Sequence, residues 1–367
     1  MKKTLVAVAA MAAVTGAMAD ATIYGVFDQA LQSDKVTLGT AAANTKRGLT
    51  SSLNGGSAVG FKGSEDLGGG LKASFLIEFG LEPSDPFNSY ADSTAQSLTA
   101  AADSTTASFS NGTSNRQSFI GLEGGFGSIN LGRQYTNTFL AACGGDIGGC
   151  ANLVGNLAIF SVLDSSTDVR RANQINYSLP SFVPGLSIQV GKSYGEAVKV
   201  GANTTNNAGD GTNYTLSYAS GPLAATFASE TVDNAGGPGM FANTPAASTT
   251  SKRKASVTGL SYDAGVAKVT YTAAKTTVGA GATSKGSNFG VSVPFGAASI
   301  GYQSGTGETN ASGATVSKLK ASQVAFNYSL SKRTMAYARV GSMAESTAAG
   351  ANTMKINQSA LGIIHNF

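Results

Sequence analysis

Few residues in this chain of 367 have types and spacing that could support covalent chemistry. A nucleophilic hydrolase needs a serine or cysteine beside a histidine base that a third group orients. The single histidine, His365, is the third-last residue, and the sequence around it offers no such set. The glycine-rich run at 279–281 is not a phosphate loop, because Ser284 precedes Lys285 instead of following it. The sequence therefore predicts a protein that is not an enzyme and that needs no cofactor or metal.

The overall composition also argues against an ordinary soluble enzyme. Charged residues make up 13% of the chain, against about 25% in a typical soluble domain. The 25 basic and 21 acidic residues form no basic run suited to nucleic acid. Beyond the N-terminus, no stretch of apolar residues is long enough for a membrane-spanning helix. Abundant small and hydroxyl residues with scattered Tyr and Phe instead favour many short strands.

The N-terminal segment has the organisation of a bacterial export signal. Residues 2–3 are lysines, residues 5–14 are apolar, and residues 17–19 read Ala-Met-Ala, a small-residue cleavage site. We expect residues 1–19 to be removed before Asp20, which leaves 23 basic and 21 acidic residues. The chain is thus predicted to be exported to the periplasm.

The two cysteines fit an exported protein. Cys143 and Cys150 are separated by six residues, and in an oxidising compartment we expect them to form one disulfide. A metal site is the alternative, but it would need more ligands than two cysteines and no nearby histidine can supply. Closing so small a ring would contribute about 2–3 kcal/mol of local order in the chain-entropy model.

Sixteen segments alternate apolar with polar or small residues at the period of two that is typical of β-strands. Most are close to the 9–11 residues that cross a bilayer as a tilted strand. The segments are residues 22–31, 58–65, 71–79, 116–123, 128–134, 171–179, 186–194, 213–219, 223–231, 254–262, 266–275, 287–293, 297–303, 319–329, 334–341 and 356–367.

The connections between these segments alternate between seven short turns and eight long polar loops. The long loops include residues 80–113, 135–170 and 232–252. Outer-membrane barrels show this asymmetry, with short periplasmic turns and long external loops. The last segment ends at Phe367 and is expected to pair with the first. We therefore predict an all-β fold of one domain over residues 20–367, a 16-stranded antiparallel transmembrane β-barrel.

The alternation assigns charged side chains to one face of each strand. In residues 71–79, Lys72 and Glu78 lie on the face opposite the mainly apolar one, and Lys62 does so in the preceding segment. A charge pointed at lipid near mid-bilayer would cost ~2–4 kcal/mol, so these three side chains are expected to face the interior. A charged interior must hold water, and a barrel of about sixteen strands is too wide for side chains to fill.

Eight segments, in a characteristic order and spacing, carry a resemblance to a known family. They read TIYGV at 22–26, VGFKGSEDLG at 59–68, GLKA at 70–73, NRQSFIGL at 115–122, GGFG at 124–127, LGRQ at 131–134, RANQINY at 171–177 and GIIHNF at 362–367. Together they resemble the general trimeric porins of Gram-negative outer membranes, most closely the beta-proteobacterial and neisserial branch.

The resemblance implies a homotrimeric outer-membrane channel for passive diffusion of small hydrophilic solutes and ions. Its third external loop, residues 135–170 here, would fold into the lumen and narrow it. The expected partners are further copies of the chain, outer-membrane lipid, the passing solutes, and the barrel-assembly machinery that would recognise the strand ending at Phe367.

The resemblance also implies a constriction with basic residues on the barrel wall and carboxylates on the loop, which would give weak charge selectivity. Arg116 and Arg171 match wall arginines by motif, and Arg133 matches a further arginine of the family. Ala58 occupies a position where the family often has arginine, so the wall is expected to carry fewer basic residues here. The full set of predicted constriction residues is Arg116, Arg171, Arg133, Lys62, Lys72, Asp146, Asp164 and Asp168.

Each of these assignments has an alternative. The arginines could sit at strand ends and pair with lipid phosphates, and the two lysines could lie at the periplasmic rim. The aspartates could anchor the loop or, for Asp146, occupy an exposed loop tip. For the whole protein, the alternative function is a non-conducting barrel whose external loops bind a partner or surface. The low aromatic and arginine content of the loops favours the channel.

Overall fold

The computed structural model describes residues 20–81, 115–148, 159, 162, 169–195, 209–233, 252–279 and 281–367. Its main elements are seventeen β-strands and one helix, α1. They are β1 Asp20–Leu38, β2 Asn44–Ser51, β3 Ala58–Gly68, β4 Leu71–Gly80, β5 Asn115–Gly124, β6 Gly127–Tyr135, α1 Asn137–Gly144, β7 Arg170–Ser178, β8 Leu186–Ser193, β9 Gly211–Ser220, β10 Leu223–Asp233, β11 Lys252–Asp263, β12 Lys268–Val278, β13 Ala282–Phe295, β14 Ala298–Ala311, β15 Ala314–Ser329, β16 Thr334–Thr347 and β17 Asn352–Asn366.

Antiparallel pairing closes the strands into a ring. From β3 onward each strand pairs with the next, and β17 pairs with β1, where Leu361 lies opposite Leu31. On its other edge β1 pairs with β2 through residues 29–36 and with β3 through residues 20–26. Because β2 and β3 share one position in the ring, seventeen segments form a closed barrel of sixteen strands. The predicted fold class and strand number are confirmed, although β2 itself was not predicted.

The two faces of the barrel wall differ in chemistry. In β12, Tyr271 is 41% exposed, whereas its neighbours Thr270 and Thr272 are buried. The same alternation of exposed large apolar residues with buried small or polar ones recurs in the other strands, as at Phe227 and Ala228 in β10. A sheet with this pattern places its apolar face toward lipid and its polar face toward the interior. In the helical part of the described chain, no segment is both long and apolar enough to span a membrane.

The two ends of the barrel carry different connections. Seven short turns join strands at the end where Asp20 and Phe367 lie, as predicted. At the other end the prediction of eight long loops is wrong for four, since residues 39–43, 279–281, 312–313 and 348–351 join strands directly. Strands β13 to β17 are 14–16 residues long and extend past the predicted ends. Above the membrane the outward face no longer needs apolar residues, so the alternation that marks a strand fades from the sequence.

Candidate functional site

A cluster of charged and phenolic side chains lies on the inner face of β1 and β3–β6. The Arg116 guanidinium donates from Nε to Glu78 Oε1 at 2.6 Å and from Nη2 to the Tyr135 hydroxyl at 2.7 Å. Glu78 also accepts a 2.9 Å hydrogen bond from the Tyr24 hydroxyl. The Lys62 ammonium lies 5.2 Å from the centroid of the Tyr24 ring. Glu78 therefore binds Arg116 directly. It also binds Tyr24, whose ring contacts Lys62, so all four side chains lie together on one part of the wall.

A second arginine completes this wall cluster. Arg170 donates to the Tyr135 hydroxyl at 2.8 Å, and its guanidinium stands 4.5 Å from the centroid of that ring. The cluster also contacts the loop, because the Tyr135 ring stacks on the Phe139 ring of α1 at 5.0 Å between centroids. Arg170 was not among the predicted constriction residues. It directly precedes Arg171, and the sequence motif predicted a constriction role for Arg171 only.

Irregular strand pairing aims the two predicted arginines inward. Regular alternation from the exposed residues Ile120 and Ile175 would turn both Arg116 and Arg171 toward lipid. The register of β4 with β5 slips between Glu78 and Phe79, which makes Arg116 an extra residue beside Glu78. The register of β6 with β7 slips in the same way, next to Asn173 with its left-handed φ of 52°. Bulges of this kind redirect a side chain, and here they bring both arginines to the inner face.

Arg171 is bound more deeply than Arg116. Its Nε donates to Glu230 Oε1 of β10, and only 9% of the arginine side chain and 2% of the glutamate are exposed. Thr138 of α1 donates to the second oxygen of Glu230 at 3.4 Å. The pair therefore links β7 to β10, three strand positions further around the barrel, and Thr138 attaches the start of the loop to it.

Helix α1 seats the loop on the inner faces of β9–β12. Thr136 caps its N-terminus by accepting from the Phe139 amide at 3.2 Å. Asn137 donates to Asn213 of β9 at 2.6 Å. Ala141 and Ala142 belong to a buried cluster, which contains Ala141, Ala142, Ile159, Val162, Ala228, Ala255, Val257 and Ala274. The approach is close enough that a Cβ on Gly259 of β11 would lie 2.6 Å from the Ala141 carbonyl oxygen.

The loop continues across the barrel beyond α1. Ile147 contacts the inner face at Gly290 of β13 and Gly301 of β14. Asp146 is 5% exposed, accepts from the Gly148 amide at 3.0 Å, and acts electrostatically on Arg339 of β16. Because Asp146 is buried, the alternative prediction that it lies at an exposed loop tip is wrong. Cys143 is disulfide-bonded, while Cys150, Asp164 and Asp168 lie outside the described residues.

The remaining predicted residues lie apart from this set. Lys72 is exposed and sits one residue from the β3–β4 turn, opposite Glu123 and Asp66. Arg133 pairs with Ser118, on the face that carries the exposed Ile120 and Leu131. The register thus places Lys72 near the rim and Arg133 on the outward-facing side of β6.

An inward bulge that the sequence did not predict lies between β2 and β3. Residues 52–57, the inner bulge, are held by Asp28, which accepts from the amides of Asn54 and Gly55 and from the Tyr337 hydroxyl at 2.6 Å. Arg339 donates to the Asn54 side chain. A side chain at Gly56 would collide with the Arg116 guanidinium. The inner bulge therefore joins the wall cluster to a second charged site on β1 and β16.

Within the described residues, no group of three or more His, Cys, Asp or Glu side chains could hold a metal ion. A closed antiparallel barrel with an apolar outer surface and charged side chains on its inner surface is a transmembrane β-barrel of the outer-membrane class.

Comparison with known proteins defines the family. Residues 7–348 match the model described as Gram-negative porin. The chain belongs to the Gram-negative porin family, and it is an outer-membrane protein.

The curated relatives match part of their length. The major outer membrane protein P.IB of Neisseria meningitidis serogroup B is 38% identical over 135 residues, which are 36% of this chain and 34% of that protein. The P.IB protein of Neisseria lactamica is 30% identical over 215 residues, 56% of each chain. The matched region thus spans between about a third and just over half of these relatives.

Solved structures show the same fold. An anion-selective porin from Comamonas acidovorans superposes with a TM-score of 0.74 at 22% identity, covering 95% of this chain and all of that one. A trimer form of OmpT of Vibrio cholerae gives a TM-score of 0.60 at 14% identity, covering 95% and 99% of the two chains. At these identities the likeness concerns the barrel architecture.

Proposed function

We propose that this protein is a water-filled diffusion channel for small hydrophilic solutes and ions. The observation that carries the proposal is the inner-face cluster of Arg116, Arg170, Lys62 and Glu78 in a closed sixteen-stranded barrel. Charges at this position need water or partners, and a barrel of this circumference is too wide to be filled by side chains. Helix α1 lies against the inner faces of β9–β12 and would narrow the passage there.

The cluster would give the channel a weak preference for anions. Three basic side chains surround one carboxylate, so its formal charge is positive. At an effective dielectric of about 20, unit charges ~4 Å apart interact by ~4 kcal/mol, and in bulk water by ~1 kcal/mol. Energies in this range bias which ion enters without holding it, as conduction requires. The anion-selective porin with the same fold supports this sign.

Planar-bilayer recording tests the proposal. Purified protein should produce stepwise, ohmic conductance, and a salt gradient should give a reversal potential of the sign expected for anions. Protein that inserts into the bilayer as a folded barrel and never conducts would refute the channel function. A reversal potential of cationic sign would refute the assigned selectivity alone.

We further propose that the channel is a homotrimer, in line with the trimer form of OmpT of Vibrio cholerae. Native mass spectrometry in detergent should then give a mass of three chains. The predicted Cys143–Cys150 disulfide, and the part of Asp164 and Asp168 in the constriction, remain proposals of the same kind.

A further inference from the structure

Helix α1 has an apolar face on the side away from the barrel wall. Its wall-side residues are buried, and the helical period places Phe139 and Leu140 on the opposite side. Leu140 is 51% exposed, and Phe139 is half-buried. Ligand sites are lined mainly by apolar and aromatic side chains with a few polar groups that fix orientation. The inner side of α1 therefore offers a contact surface for a solute with an apolar part.

The Arg170 guanidinium lies beside this face without a carboxylate partner. Arg116 and Arg171 each pair with a glutamate, whereas Arg170 donates to the Tyr135 hydroxyl. Within the residues that the structure describes, Arg170 forms no ion pair. A guanidinium carries further N–H groups that can bind a carboxylate in a bidentate manner. The positive charge of Arg170 is thus available to an anionic solute.

Tyr135 brings the charge and the apolar face together. Its hydroxyl accepts from Arg116 at 2.7 Å and from Arg170 at 2.8 Å. Its ring stacks on Phe139, with 5.0 Å between centroids and 9° between the ring planes. One tyrosine side chain therefore reaches from the guanidinium groups to the apolar surface. The two features lie close enough for one small aromatic molecule to contact both.

Two simpler classes of solute would use only part of this surface. A small hydrophilic anion binds the guanidinium but leaves Phe139 and Leu140 in contact with water. A neutral apolar solute covers these two side chains but gives Arg170 no carboxylate. An anion that carries an aromatic ring next to its carboxylate satisfies both, because aromatic contact and a charge-assisted hydrogen bond are each favourable.

We propose that the channel binds aromatic monocarboxylates at an amphipathic site formed by Arg170, Tyr135, Phe139 and Leu140. The ring of the solute lies against Phe139 and Leu140, and its carboxylate accepts from the Arg170 guanidinium, with the charge of Arg116 nearby. The inference rests on the proposed function, because solutes reach these side chains through the water-filled lumen. It names a class of solute that the channel concentrates in its passage.

Equilibrium binding to the whole protein, folded in detergent, tests the site without requiring conduction. The probes are sodium benzoate, sodium acetate and benzamide, and isothermal titration calorimetry measures their affinities. Acetate has the carboxylate without the ring, and benzamide has the ring without the charge. Wild-type protein should bind benzoate roughly tenfold more tightly than either of the other two.

Two substitutions separate the charged and the apolar part of the site. R170Q removes the charge, and L140S removes an apolar contact. The matched controls are R333Q and L330S in the turn between β15 and β16, where both side chains are exposed. R170Q should weaken benzoate binding roughly tenfold and L140S roughly threefold, whereas the controls should bind like the wild type. In planar bilayers, benzoate should reduce the chloride conductance of wild type and controls at concentrations where acetate does not.

Three results would overturn the amphipathic site. They are equal affinities for the three probes, unchanged benzoate binding in R170Q and L140S, and equal losses in the test and control variants. If R170Q does not fold, L140S is compared with L330S alone. Benzoate binding with the expected dependence in a barrel that never conducts would refute the channel and leave the site intact. A conducting barrel that does not distinguish benzoate from acetate would refute the site alone.

Discussion

At the scale of residues, the two predicted arginines have different roles because their partners are buried to different degrees. Arg116 and Glu78 keep 14% and 11% of their side chains exposed and stand beside Tyr24 and Tyr135. Glu230, the partner of Arg171, is 2% exposed and is also held by the loop. In the proposed channel we therefore expect the Arg116–Glu78 pair to act on passing ions and the Arg171–Glu230 pair to act mainly on the fold.

Arg116→Ala should shift selectivity toward cations and should lower stability less than Arg171→Ala does. The substitution removes one positive charge and leaves Glu78 without its guanidinium, so the local potential becomes more negative. We expect the anion-to-cation permeability ratio to fall by roughly two- to tenfold, which corresponds to ~0.4–1.4 kcal/mol. Reversal potentials across a salt gradient measure this ratio. An unchanged reversal potential would show that Arg116 does not line the conducting path.

Arg171→Ala should weaken the fold far more than Arg116→Ala does. Removing one partner of a buried ion pair leaves an uncompensated charge, at a cost of about 3–5 kcal/mol. We expect the variant barrel to unfold at a lower temperature. Heating samples to increasing temperatures before gel electrophoresis measures this, because the folded barrel migrates as a compact band and the unfolded chain does not. Combining R171A with E230Q removes the stranded charge and should restore part of the loss. A double variant no more stable than R171A would argue against this pair as the cause.

At the scale of elements, helix α1 and the inner bulge both lie against the inner face of the wall in the part of the chain that the structure describes. Glycine residues leave the space that α1 and the inner bulge need to lie against the wall. Gly259 faces the Ala141 carbonyl, and Gly56 faces the Arg116 guanidinium. A strand can carry glycine at such points because close backbone approach, not side-chain packing, is required there.

Gly259→Val should displace α1 and change conductance without preventing barrel formation. A Cβ at this position would lie 2.6 Å from the Ala141 carbonyl oxygen, a distance that backbone atoms cannot accommodate without moving. We expect altered single-channel conductance and more frequent current fluctuations. Gly48→Val in β2 is the control, because nothing lies within 4 Å of the added atom. If both variants conduct like the wild type, α1 does not form part of the constriction.

At the scale of the whole molecule, closure of the barrel depends on the contact between its first and last strands. Phe367 exchanges two backbone hydrogen bonds with Gly25, at 3.0 and 3.1 Å, and its ring covers the position where a Gly25 side chain would lie. Phe27 stacks on the same ring at 5.9 Å. The seam, which is this contact between the first and last strands, is thus held by the Phe367 ring packed over Gly25.

Gly25→Val should impair assembly of the barrel, because the new side chain would collide with the Phe367 ring. Adding F367A to the same chain removes the obstacle and should recover part of the folded protein. The heat-modifiable band in outer-membrane fractions measures the folded amount. Full assembly of G25V alone would show that the seam tolerates a different packing.

The sequence determined the features that repeat locally. A period of two, short Gly-rich turns and the high cost of a charge in lipid are properties of neighbouring residues, so they predicted sixteen strands, one closed barrel and an inward Lys62. The tertiary structure decided what depends on pairing between distant strands. The inward aim of Arg116 and Arg171 follows from register slips against β4 and β6, and the inner bulge follows from β1 pairing with two segments at once. Alternation within one strand carries no information about such slips, because a single extra residue reverses which face each later side chain occupies.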